Sequence, residues 1–155
     1  MIRLSEILSE ASIQLNIDET AKDAAIASMV SLLEATGAVT DAEQVLTALR
    51  ERERVMSTGI GGGVAVPHAQ SPGASRLALA LGRLRNPIGF DALDGRPVQL
   101  LFLVVGPEER GGFIRVLARI GRLLYSGDLQ RNLLRARSSG EVMDLIRMEE
   151  SRINR

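Results

Sequence analysis

The chain has no cysteine, a single histidine and no net charge, and each shortage closes off a kind of chemistry. Without cysteine there are no disulfides, no thiolate nucleophile and no zinc site built on sulfur. One histidine is too few for a histidine-based metal centre, and we expect neither a metal nor a cofactor. Nineteen Lys and Arg side chains balance nineteen Asp and Glu, so nothing draws the chain generally to nucleic acid or to an anionic membrane. Partners must then be chosen by local surface. No apolar stretch reaches membrane-spanning length, and the opening Met1-Ile2-Arg3-Leu4-Ser5-Glu6 lacks the apolar core of a signal peptide. The sequence reads as cytoplasmic, with no direct membrane insertion. Two motifs are also missing: the lysine-bearing phosphate loop of nucleotide-binding proteins, and the Gly-x-Ser-x-Gly turn of a serine hydrolase.

What is present is ordinary globular material, 45% hydrophobic and 25% charged. A chain of 155 residues buries roughly 68–70% of its unfolded surface, enough for one substantial core. No repeat, low-complexity tract or linker divides it, so residues 1–155 are expected to form one domain.

Hydrophobic spacing sets the elements. Leu4, Ile7 and Leu8 have helical spacing, and Ile13 to Ile17 alternates like a strand. Asp18 is a plausible N-cap for an alanine-rich helix whose stripe is Ala25, Met29, Leu32 and Leu33, ended by Gly37. Thr40 and Glu43 have capping-box spacing and open a second helix with Val45, Leu46 and Leu49 inward. Arg50, Glu51, Arg52, Glu53 and Arg54 at its exit form a charge run, usually a solvated helix end.

Further on, Ser71-Pro72-Gly73 is turn chemistry, and Leu77 to Leu84 is apolar enough for a strand. Asn86 to Pro97 reads as a loop, and Val98 to Val105, almost continuously apolar, as a buried central strand. From Phe113 the period becomes helical, with Phe113, Val116, Leu117, Ile120, Leu123 and Leu124 on one face. Arg115, Arg119 and Arg122 line another face, read as solvated. Leu129–Leu134 and Val142–Ile146 are two more helices, the second begun by Ser138 or Ser139. Strands interleaved with helices predict an α/β layered domain.

His68 is the residue to explain. Gly59, Gly61, Gly62 and Gly63 lead into the apolar run Val64–Val66, which ends at Pro67 and His68 and places an imidazole at the end of a strand. Imidazole titrates near neutrality and can be a nucleophile, base or ligand without unusual help, although a lone histidine is more often a surface or satisfied residue. The surrounding residues suit phosphate. Glycine-rich backbone approaches it closely, Ser57 or Thr58 adds a hydroxyl, and Arg52 supplies a planar, permanently charged fork.

The string Ser57-Thr58-Gly59-Ile60-Gly61 followed by Val64-Ala65-Val66-Pro67-His68 resembles the active-site segment of the enzyme IIA family of the bacterial phosphoenolpyruvate:sugar phosphotransferase system, in its fructose, mannitol and nitrogen-regulatory branch. Pro87-Ile88-Gly89-Phe90-Asp91 and Asp94-Gly95-Arg96-Pro97 look like the same branch. The resemblance implies a mixed sheet of about five strands flanked by helices. It makes His68 the phosphoacceptor, carrying tele-phosphohistidine, with Arg52 and Thr58 stabilising the phosphate. It implies an HPr-like phosphocarrier protein as donor, and enzyme IIB or a regulated kinase or transporter as the next partner. The family's second histidine does not carry over, because Phe113 stands there. The expected function is therefore a phosphoryl-accepting enzyme IIA, of the regulatory rather than the sugar-transporting kind. Two alternatives are a non-catalytic module that controls a partner by docking, and a hydrolase using His68 as general base.

Overall fold

The computed structural model describes residues 2–108 and 112–154. A short helix α1 (Leu4–Ile7) and a 3-10 turn (Glu10–Ser12) precede strand β1 (Ile13–Ile17). Helices α2 (Lys22–Ala35) and α3 (Ala42–Val55) follow, then the short strands β2 (Gly59–Gly61), β3 (Val64–Ala65) and β4 (His68–Gln70). Two long strands, β5 (Ala78–Ile88) and β6 (Val98–Gly106), lead to helices α4 (Gly112–Leu124), α5 (Asp128–Arg135) and α6 (Ser139–Ile153). The strands make one mixed sheet of six, ordered β1-β5-β6-β3-β2 with β4 also on β6. β5 and β6 are antiparallel, while β1 runs parallel to β5, and β3 and β4 parallel to β6.

β6 is the central strand because both of its faces are covered, which is what its unbroken apolar run requires. Leu101, Leu103 and Val105 point into a core shared with α2 and α3. Leu100, Phe102 and Val104 point into a second core against α1, α4 and α6. Helix α4 contributes Phe113, Val116, Ile120, Leu123 and Leu124 to that second core, as its spacing predicts.

Several boundaries differ from the sequence reading, each for a local reason. α2 starts at Lys22 with Ala21 as its N-cap residue, not at Asp18. Asp18 is exposed and 3.9 Å from Arg85. Its buried stripe is Ala25, Ile26, Met29, Val30 and Leu33, with Leu32 at the margin. Asp41, not Thr40, caps α3, accepting from the Gln44 amide at 3.2 Å. Thr40 is held elsewhere, its amide donating to the Gly73 carbonyl at 2.8 Å. A side chain at Gly73 would place its Cβ 2.5 Å from the Asp41 carbonyl, so this close approach requires glycine.

β5 runs four residues past Leu84, through Pro87, into the stretch read as a loop. β1 pairs with β5 only as far as Leu84, so the amide that Pro87 lacks faces no partner strand on that side. The basic row on α4 also divides. Arg119 is not solvated: its side chain keeps 9% of its exposure, 3.7 Å from the buried Glu150 carboxylate. Glu150 in turn accepts the Leu4 amide at 2.7 Å and the Ser5 hydroxyl at 2.8 Å, tying α1 to α6. Among the described residues, no helix is long and apolar enough to cross a membrane.

Candidate functional site

β3 and β4 lie end to end along one edge of β6, with Val64 opposite Leu100 and His68 opposite Val104. The break between them is made by Val66 and Pro67. Proline has no amide to give the ladder, so its carbonyl alone is used, accepting from Val104 at 2.9 Å. His68 therefore opens a strand rather than ending one. Val66 donates its amide to the Thr58 carbonyl at 2.9 Å, and its own carbonyl, on the following peptide, faces the imidazole.

His68 is half-buried, with Nδ1 2.8 Å from the Val66 carbonyl oxygen. A carbonyl only accepts, so Nδ1 carries the proton and Nε2 keeps the free lone pair. Burial pushes the His68 pKa below the ordinary value near 6.5. The bond to Val66 and the Glu53 carboxylate oppose that shift, and the Arg52 charge reinforces it. The ring is consequently neutral at pH 7, the form that can attack an electrophile.

The imidazole sits in a cleft of about 340 Å³ lined by the end of α3, by β2 and by α4, including Arg52, Ser57, Thr58, Gly59, Leu117 and Gly121. Arg52 spends one of its donors on the Met56 carbonyl at 2.7 Å, which closes the helix end, and the residue lines the cleft. The cleft mouth is apolar, with Met56, Ile60 and Leu93 exposed and Val55 beside them in sequence.

Other expected residues are placed differently. Gly61, Gly62 and Gly63, all with positive φ, form the β2–β3 turn and lie away from the cleft. Their turn is pinned by the Gly62 amide donating to Asp94 at 3.0 Å and by Gln130 donating to the Gly62 carbonyl, so of the glycines preceding the histidine only Gly59 lines the site. Thr58 is buried, and its hydroxyl donates to the Glu53 carboxylate. Ser57 donates to the Phe90 carbonyl at 2.5 Å. Phe113 combines the two roles open to it: it packs in the second core, and its ring centroid lies 5.9 Å from that of His68, tilted by 53°.

Glu53 and Lys22 were not singled out by the sequence reading. The Glu53 carboxylate receives the Thr58 amide at 3.2 Å and lies 2.7 Å from Lys22 Nζ. The sequence does hold one signal for this pair, since Lys22 is the only lysine among nineteen basic residues. Among the described residues, no group of three or more His, Cys, Asp or Glu side chains is placed to hold a metal ion.

Residues 6–148 match the family described as phosphoenolpyruvate-dependent sugar phosphotransferase system, EIIA 2. The chain is similar to the nitrogen regulatory protein of Pseudomonas aeruginosa, 33% identical over 92% of this chain and 93% of that one. It is also 31% identical, over 96% of its length, to the fructose-specific EIIABC component of Bacillus subtilis, of which it spans only 24%. The nitrogen regulatory protein IIA-Ntr of Neisseria meningitidis has the same fold, with a TM-score of 0.85 at 32% identity, covering 92% of this chain and 97% of that one.

Proposed function

Since the chain belongs to the EIIA 2 family of the phosphoenolpyruvate-dependent sugar phosphotransferase system, we propose that His68 is its phosphoacceptor, charged by an HPr-like phosphocarrier protein. The observation that carries this reading is the Nδ1–H bond to the Val66 carbonyl. It leaves Nε2 unprotonated and open to the cleft side, where a phosphoryl group would meet Arg52. In the transfer, the Nε2 lone pair forms the new N–P bond as the donor's N–P bond breaks. The donor imidazole leaves with its electron pair. The His68 ring gains positive character, and the Val66 carbonyl stabilises it at Nδ1.

The transition state is loose, with charge spread over the equatorial oxygens, so fixed donors matter more than covalent help. Arg52 is the fixed cation. Thr58 and Ser57 act through the backbone they order, because their hydroxyl protons are committed to Glu53 and Phe90. The exposed Met56, Ile60 and Leu93 around the cleft suit a protein donor, whose apolar surface they would cover. After charging, His68 passes the phosphoryl group to an enzyme IIB, or its charged and uncharged states are read by a regulated kinase or transporter. Similarity to nitrogen regulatory proteins along nearly the whole chain supports the regulatory use. The work of such a protein is done in the cytoplasm.

The test is incubation of the purified chain with phosphoenolpyruvate, enzyme I and an HPr-like carrier. The expected product carries one acid-labile, base-stable phosphate, absent from His68→Gln. A stable complex with the carrier and no phosphate would instead favour a docking module, and phosphate on the His68→Gln protein would remove His68 from the mechanism.

A further inference from the structure

A continuous run of hydrogen bonds leads from a buried ion pair to the imidazole. Lys22 Nζ lies 2.7 Å from Glu53 Oε2, and the Glu53 side chain keeps only 8% of its exposure. The same carboxylate accepts both the amide and the hydroxyl of Thr58. The Thr58 carbonyl accepts the Val66 amide at 2.9 Å, and the Val66 carbonyl accepts His68 Nδ1–H at 2.8 Å. Thr58 and Val66 each enter this run through a donor and leave it through their carbonyl, so each bond restrains the residue that makes the next.

A second strand of contacts fixes the same loop. The Phe90 carbonyl accepts from Lys22 Nζ at 3.3 Å and from Ser57 Oγ at 2.5 Å. Lys22 also lies 4.7 Å above the Phe90 ring. Ser57 and Thr58 are thus clamped through their side chains, and Thr58 through its amide as well, to one buried charge centre. Were this only a helix-end ion pair, solvent would serve it equally well, and burying a carboxylate for that purpose alone would be unfavourable.

We propose that Glu53 is a positioning residue for His68, acting through Thr58 and Val66 to hold the imidazole as its Nδ1–H tautomer with Nε2 toward the cleft. The proposal rests on the reading of His68 as phosphoacceptor. Glu53 touches no reacting atom. It supplies the anion that captures both Thr58 donors, and that capture sets the direction of the Val66 carbonyl. Lys22 keeps the anion in place. A rotated Val66 carbonyl would release Nδ1, allow the proton to move to Nε2, and leave the attacking nitrogen blocked.

The test compares the parent with Glu53→Gln, which keeps the side-chain shape but loses the charge, and with Thr58→Val, which removes one donor. Thr58→Ser keeps both donors and serves as the conservative control. Two readouts are taken: the tautomer of His68 from its ¹⁵N chemical shifts, and the initial rate of phosphorylation from the phosphorylated carrier. The expected result for Glu53→Gln is a substantial Nε2–H population and a rate lower by roughly tenfold, the smaller end of the loss known for removing the orienting partner of a metal-bound histidine. Thr58→Val should move both readouts the same way, and Thr58→Ser should match the parent. A folded Glu53→Gln protein with the parent tautomer and the parent rate overturns the proposal. If Glu53→Gln does not fold, Thr58→Val decides by the same two readouts. If the parent itself takes no phosphate, the acceptor reading fails, whereas the tautomer measurement still judges the role of Glu53.

Discussion

Lys22 Nζ lies 2.7 Å from Glu53 Oε2 in a setting where the two side chains keep 21% and 8% of their exposure. The pair joins the first turn of α2 to the last turn of α3, and so locks together the two helices that cover one face of the sheet. Water reaches Lys22 in part and Glu53 hardly at all.

Truncating Lys22 should therefore cost more than removing a surface ion pair. Lys22→Met keeps the stem over Phe90 and deletes the charge, leaving the Glu53 carboxylate without its cation. Breaking a buried pair in this way costs about 3–5 kcal/mol, and the partial exposure of Lys22 places the expected loss near the lower end. A urea denaturation series reads it directly. A loss under about 1 kcal/mol would put the pair in the class of exposed ion pairs.

The depressed pKa of His68 sets the direction of a pH effect. In the unfolded chain the imidazole titrates near 6.5, and in the folded protein lower. Between those two values the unfolded chain binds more protons, so folding stability rises with pH across that window. It falls as the pH is lowered through 6.5, and the penalty is complete below the folded pKa. Subtracting the pH profile of His68→Gln from that of the parent should isolate this contribution, because the carboxylates are common to both. A difference profile that is flat between pH 5 and 7, on the order of the window considered, would contradict it.

Arg52 acts on the same titration, and its proposed role toward the phosphate can be tested separately. Its charge contributes to depressing the His68 pKa, so Arg52→Gln should raise that pKa in an NMR titration, while Arg52→Lys should change it little. Phosphorylation should respond otherwise. A lysine keeps the charge but not the planar fork, and losing one charge-assisted hydrogen bond of about 1.5 kcal/mol slows transfer by about tenfold. Equal rates for Arg52→Lys and the parent would mean that the guanidinium serves the Met56 carbonyl alone.

The parts of the fold legible in the sequence were those fixed by periodicity. Val98–Val105 and the Phe113–Leu124 stripe declare themselves because burial on two faces or on one leaves a regular apolar pattern. The caps were misread where a long-range contact competed: Thr40 satisfies the local rule for a cap, yet Gly73, distant in sequence, takes its amide. His68 stands out in the sequence as the candidate acceptor, since it is the single histidine and follows a recognisable string, and the fold places it in one cleft with Arg52 and Thr58. Its supporting groups were not. Glu53 looks like any member of an alternating charge run, and the bond from Nδ1 goes to a backbone carbonyl, which leaves no residue-type signature. Gly61 to Gly63 misled for the complementary reason, because glycine that serves a tight hairpin turn and glycine that serves a phosphate have the same letter.

Phe113 stands where the resemblance leads one to expect a second histidine, and its placement beside His68 permits a gain-of-function test. Its ring is 7% exposed, packed with the second core on one side and 5.9 Å from the imidazole centroid on the other. A phenyl ring helps to desolvate His68 but offers no donor to a phosphoryl oxygen. In Phe113→His the new imidazole loses apolar contact, so we expect a stability cost of about 1–3 kcal/mol from the buried polar group. The phosphorylated state would gain a donor beside the imidazole, and a hydrogen bond to a charged group is worth about 1.5–3 kcal/mol. The equilibrium with the phosphorylated carrier should then move toward the charged protein by about tenfold or more. Following transfer in both directions, with folding verified by thermal melting, separates the two effects. If the variant folds and both the rate and the equilibrium stay at parent values, Phe113 acts by packing alone.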